Sequence, residues 1–134
     1  MNDTTLTPAG VDALFAPRTR RHKYETLPIS GLSVRIQSLT EAELSRYEMA
    51  VVGTSDKAIA RQARIEDAGR RLIVLCLVDT AGNRILNDSH NKLLAEWDAA
   101  DSNYLYNACA AHVGLRRSDI EELVKNSERT NAAE

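Results

Sequence analysis

At 134 residues with 43% apolar side chains, the chain has the length of one domain and enough hydrophobic material to build a core without disulfide staples. A net charge of −2 and 4% aromatic residues argue against nucleic acid as a partner, leaving neither an overall basic footprint nor a base-stacking platform. The longest apolar run, Leu72 to Val78, is far short of the ~18 residues of a membrane span, so a soluble protein without a membrane partner is expected.

The opening MNDTTLTPAG has neither the basic start nor the apolar core of a signal peptide. Cys76 and Cys109 both lie among apolar neighbours, so a reducing, cytoplasmic setting is expected, with both thiols as small core residues. Thr7 before Pro8 offers a helix cap, with Val11, Leu14 and Phe15 following at helical spacing until Pro17. The segment RTRRHK then packs Arg18, Arg20, Arg21 and Lys23 into six residues, whereas residues 119–134 hold five acids against two bases. Such runs are either solvated surface or a partner's contact patch.

Leu32, Val34 and Ile36 alternate with Ser33, Arg35 and Gln37, the pattern of a half-buried strand. Ser30-Gly31 suits a two-residue turn, with ETLPI as the partner strand and Pro28 confining that partner to an edge. Thr40 and Glu43 stand in capping-box spacing, flanked by Leu39 and Leu44 as a hydrophobic staple, which predicts a helix from Glu41 to about Val52. After a loop and a cap at Asp56, the residues Ala58, Ile65, Ala68, Leu72, Leu75 and Cys76 mark one face of a second helix. The apolar run is read as the buried end of that helix rather than as a fresh strand, although its β-branched residues pull the other way. Asp79 to Arg84 is then a turn, after which Ile85 and Leu86 return to the core.

Asp88 is placed to cap SHNKLLAEW, and Asp98 with Asp101 to cap a further helix on which Leu105, Ala108, Cys109 and His112 share a face. Gly114 is a natural helix stop, Ser118 and Glu121 restart a helix, and residues 127–134 read as a frayed tail. The fold class is therefore α+β and mostly α: a short N-terminal β-hairpin followed by a compact bundle of four to five helices.

No glycine-rich phosphate loop, nucleophile elbow or metalloprotease helix motif is present. Cys109 and His112 could supply half of a zinc site, but His22 and His90 stand in unrelated contexts, so a core cysteine beside a half-buried histidine is the simpler reading. A Cys–His nucleophile would need an orienting group and an oxyanion hole, for which there is no local signal. Asp98 and Asp101 read as helix-start residues and Trp97 as a core plug. No catalytic residue, metal or cofactor is assigned.

The order of these features resembles the phage tail assembly chaperones of long-tailed phages and prophages. LPISGLSVRIQSLTEAEL resembles the family's opening, a hairpin leading into a Leu-Thr-x-x-Glu helix start, and LIVLCLVDTAGNRIL its middle signature of Val-Asp-x-x-Gly, although Leu86 stands where the family often has Phe. LLAEWDAADSNYLYNACAAHVGLRRSDIEELVKN is similar to its last section, with a Gly-Leu stop and an acidic helix. Residues 24–126 carry the resemblance, leaving residues 1–23 as an N-terminal segment with a short helix and the basic cluster. The resemblance implies a non-catalytic protein of the host cytoplasm, absent from the finished virion, that binds the tape measure protein and helps recruit major tail tube subunits. A homo-oligomer is left open. Arg18, Arg20, Arg21 and Lys23 are the candidate partner-binding residues, expected to be solvated and therefore of little weight in stability. The alternative is a small regulatory or nucleic-acid-binding module using RTRRHK or LRRSDIEEL.

Overall fold

The alternation around Ile36 does produce a strand. In the computed structural model, which describes residues 6–17, 19–53, 61–115, 122 and 125, β1 (His22–Thr26) pairs antiparallel with β2 (Ser33–Gln37). His22 lies opposite Gln37 and Thr26 opposite Ser33. The hairpin is closed by four residues rather than the two expected: the Leu27 N–H donates to the Leu32 carbonyl (2.8 Å) and the Gly31 N–H to the Leu27 carbonyl (3.0 Å). Gly31 takes φ +72°, a left-handed conformation that glycine adopts without a Cβ penalty. β1 is an edge strand, but it runs from His22, inside the basic cluster, to Thr26 instead of over ETLPI, which leaves Pro28 in the loop and without a part in setting the edge.

The expected capping box is present: the Thr40 N–H donates to Glu43 Oε1 (2.9 Å), and the Glu43 N–H to Thr40 Oγ1 (3.2 Å). After a single-turn α1 (Val11–Leu14) ahead of the sheet, the box opens α2 (Glu41–Gly53), whose flanking Leu39 and Leu44 are half-buried against the core. The cap at Asp56 and the position of Ala58 lie outside the described residues. α3 (Arg61–Cys76) then carries the apolar run through Cys76, after which Leu77 and Val78 form β3 against β2, opposite Ile36 and Arg35. The stretch is thus helix for its first five residues and strand for its last two, and the two-stranded hairpin becomes a sheet of order β1-β2-β3.

Asp79 fixes the turn after β3. Its Oδ1 accepts from the Ala81 and Asn83 N–H groups, both at 2.9 Å, while Gly82 sits at φ +87° against Gln37. Of the two residues beyond it, Leu86 packs on the core but Ile85 stays exposed. A single 3-10 turn (Asp88–His90) follows, capped by Asn87 and not by Asp88: the Asn87 side chain accepts from Ser89 N–H while His90 Nδ1 accepts from Asn87 N–H. The cap thus falls one residue before the expected one, with Asn87 and His90 satisfying each other's ends of the box. This turn runs into α4 (Asn91–Leu94), and α5 (Ala99–Val113) starts at Asp98, whose carboxylate accepts from Ala100 N–H. Gly114 at φ +87° ends α5 with the Leu115 N–H returned to the Ala110 carbonyl at 2.7 Å. The helix start at Ser118 and Glu121 lies outside the described residues, although Glu122 and Lys125 are helical.

α3 is the centre of the core. Leu72, Ile73 and Cys76 are enclosed by Ile36 from the sheet and by Leu105 and Cys109 from α5. Each such aliphatic side chain contributes about 1.5–3 kcal/mol by leaving water. The Tyr47 hydroxyl donates to the Ala68 carbonyl at 2.7 Å, tying α2 to α3, and burial pushes that phenol well up from its ordinary pKa. Among the described residues no helix is long and apolar enough to cross a membrane.

Candidate functional site

Of the four candidate cations, Arg18 lies outside the described residues. The other three are exposed, yet each is held by a partner within the chain. Arg20 pairs with Glu43 at the start of α2 (2.9 Å), Arg21 donates to the His112 carbonyl at the end of α5 (2.8 Å), and Lys23 pairs with Glu25 (2.9 Å). Arg20 and Arg21 thus tie the segment that enters β1 to α2 and α5, while Lys23 pairs within its own strand, and all three side chains keep contact with solvent.

Glu25 is the least expected member of this seam. It is buried, on the strand face turned toward α5, where its Oε1 accepts from the Tyr104 hydroxyl at 2.7 Å and its Oε2 faces Lys23. The Tyr104 hydrogen bond, followed by that from Lys23, holds its carboxyl below the usual glutamate range despite burial. In return Glu25 raises the pKa of both Tyr104 and Lys23. The carboxylate is thus charged and doubly satisfied, which makes it an anchor and a poor proton donor.

Asp101 also departs from its expected place. It does not cap its own helix; its carboxylate is buried and accepts from Ile29 N–H (2.7 Å) and Ser30 N–H (3.1 Å) in the hairpin loop. These amides explain the four-residue loop. Asp101, Tyr104 and His112 lie along one side of α5 and meet β1 and its loop at three successive points.

Cys109 and His112 do not converge on a common point. Cys109 faces inward and shares a hydrogen bond with Cys76, which together with burial pushes its thiol pKa well up. His112 faces the strand, with Nε2 at 3.2 Å from the Arg21 carbonyl. Among the described residues no group of three or more His, Cys, Asp and Glu side chains is placed to hold a metal ion.

Among the described residues, an exposed apolar turn and an open groove have the character of a binding face. The first is α1 (Val11–Leu14), a single turn capped at Gly10 and not at Thr7, with no buried residue; Val11, Leu14 and the following Phe15, 80% exposed, all face solvent. The second is an open groove of about 290 Å³ between α3, α4 and the start of α5, lined by Ile65, Ile73, Trp97 and Tyr106 among others. Trp97 is half-buried there, part core and part groove wall. The sequence offered helical spacing for the first surface but no sign that its apolar side would stay uncovered.

No protein-family model and no curated protein matches this chain. Among solved structures it is similar to the tail assembly chaperone of bacteriophage HK97, with 22% sequence identity and a TM-score of 0.48, over 67% of this chain and 83% of that one.

Proposed function

We propose that the protein is a non-catalytic phage or prophage tail assembly chaperone, which binds the tape measure protein and helps recruit tail tube subunits. The observation that carries the reading is the order of motifs in residues 24–126, because each builds a joint of the fold: the Thr40–Glu43 box opens α2, the Asp79 turn follows β3, and Gly114-Leu115 stops α5. A binding role also suits the exposed apolar side of α1, since an extended, mostly apolar partner helix needs area that the core does not use.

In this reading Val11, Leu14 and Phe15 supply apolar contact while Arg18, Arg20, Arg21 and Lys23 steer the encounter. The test is co-expression with fragments of a phage tape measure protein, followed by affinity capture. Capture is expected for the parent and its loss for Val11→Ser/Leu14→Ser/Phe15→Ser, which removes no buried side chain. A mobility shift with duplex and single-stranded DNA runs alongside. Retention of DNA at physiological salt, with no capture of tape measure or tail tube protein, would overturn the proposal in favour of a nucleic-acid-binding module.

A further inference from the structure

The two edges of the sheet are not equivalent. Beyond β3 the chain folds back, with Arg84 bridged to Val78 and the Ile85 N–H reaching the Leu77 carbonyl at 3.4 Å, so that edge is covered. On the other side, the alternation of the β1–β2 ladder turns Arg21, Lys23, Glu25 and Leu27 toward β2, as the bonds Ser38 N–H to Arg21 O and Leu27 N–H to Leu32 O require. His22, Tyr24 and Thr26 therefore direct their N–H and C=O groups outward, and no other described residue takes them up.

Common safeguards against edge pairing are weak here. Pro28 lies in the loop beyond the strand, and the Lys23 ammonium is held down by Glu25. Tyr24, 59% exposed, stands on the open face in the middle of the strand, with the Arg35 guanidinium 6.0 Å from its ring.

The geometry points to a second copy of this chain as the occupant of that edge, with β1 pairing antiparallel to its symmetry mate about Tyr24. In this register Tyr24 faces Tyr24 of the other copy, His22 faces Thr26, and Lys23 faces Glu25. The three residues with free outward groups oppose one another, which is the arrangement in which antiparallel partners exchange both hydrogen bonds. The sequence His-Lys-Tyr-Glu-Thr is also charge-complementary to its own reverse: Lys23 of each strand stands opposite Glu25 of the other, at the closer, non-hydrogen-bonded positions, so pairing sets no like charges side by side. A shift of two residues would set Lys23 against Lys23 or Glu25 against Glu25. The contact is isologous and closes as a two-fold dimer, joining two three-stranded sheets into one. It stands independently of the chaperone reading.

Light scattering after gel filtration, run over a range of loading concentrations, is expected to show the mass rising from 14.8 kDa toward twice that value. Tyr24→Pro removes an outward N–H and no bond of the β1–β2 ladder, so it should hold the mass at one chain while its circular dichroism matches the parent. Tyr24→Cys should form a covalent dimer on mild oxidation, because directly opposed Cα atoms about 5.5 Å apart lie within disulfide reach. The native Cys76 and Cys109 are buried, and Met49→Cys, exposed on α2, serves as the control that should not cross-link. A parent that stays at one chain's mass, a dimer that survives in Tyr24→Pro, or equal cross-linking at both engineered sites would overturn the proposal. If Tyr24→Pro does not fold, cross-linking specific to Tyr24→Cys supports the proposal and its absence overturns it.

Discussion

The Asp101 carboxylate, on the first turn of α5, takes the backbone N–H groups of Ile29 and Ser30 across 72 and 71 residues of sequence. Burial alone would raise the pKa of this carboxyl, but the two amides and the Ser30 hydroxyl outweigh it and hold the group below the usual aspartate range. The folded value is thus lower than the unfolded one. Its stabilisation is complete above the unfolded value of about 3.9 and disappears as pH falls through the folded value. Asp101→Asn should lower the melting temperature by several degrees at pH 7 and flatten the fall in stability between about pH 5 and pH 2. Denaturant titrations across that range check this; an unchanged pH dependence would count against it.

Tyr104→Phe should raise the pKa of Glu25, since the tyrosine hydroxyl is the largest influence holding that carboxyl down. The sign is the same as for Asp101: the charged form is stabilised in the folded state, so the variant loses stability above the unfolded glutamate value of about 4.3 and approaches the parent in acid. Carboxyl-selective carbon NMR through a pH titration reads the shift directly. Neutralising Lys23 should move Glu25 in the same direction, with little change in melting temperature because the Lys23 side of the pair lies at the surface.

The cysteines should be inert in the native state. Cys109 is buried with a raised pKa, Cys76 is buried beside it, and a thiolate is the species that reacts. A chromogenic disulfide reagent should therefore find both thiols only after denaturant is added, and elemental analysis should find no stoichiometric zinc. Rapid native labelling of Cys109 would contradict its placement.

Leu72 has no exposed surface, so Leu72→Asp would bury a carboxylate with no partner and should cost at least about 3 kcal/mol, enough to unfold a domain of this size or come close. Leu72→Ala should cost about 2–5 kcal/mol through lost burial and the cavity left behind. A melting temperature like the parent's in either variant would remove Leu72 from the core.

Legibility in the sequence followed the range of the interaction. The Thr40–Glu43 box, the Asp79 turn and the Gly114 stop were readable because donor, acceptor and backbone conformation lie within a few residues of one another. Asp101 looked like a cap because first-turn aspartates usually serve that purpose; only the fold brings Ile29 and Ser30 to it. Gly69 has no local signal for its role: a Cβ placed there would lie 3.2 Å from the Tyr106 ring, so the glycine permits a close α3–α5 approach. β3 escaped notice because two residues give no period, and the partners of Arg20 and Arg21 were not legible because Glu43 and the His112 carbonyl come to them only through the fold.

The line of attachments from α5 to the hairpin also sets an order of events during synthesis. β1 and β2 can pair as soon as both have left the ribosome, but the chain that completes their sheet arrives with Val78, and Asp101, Tyr104 and His112 arrive later still. Until then Glu25 lacks the Tyr104 hydroxyl and the loop amides have only water. The hairpin is therefore provisional through most of translation, and such long-range closure slows folding relative to helix formation. A chain truncated before α5 would present an unsecured strand pair, the kind of surface on which nascent chains associate wrongly.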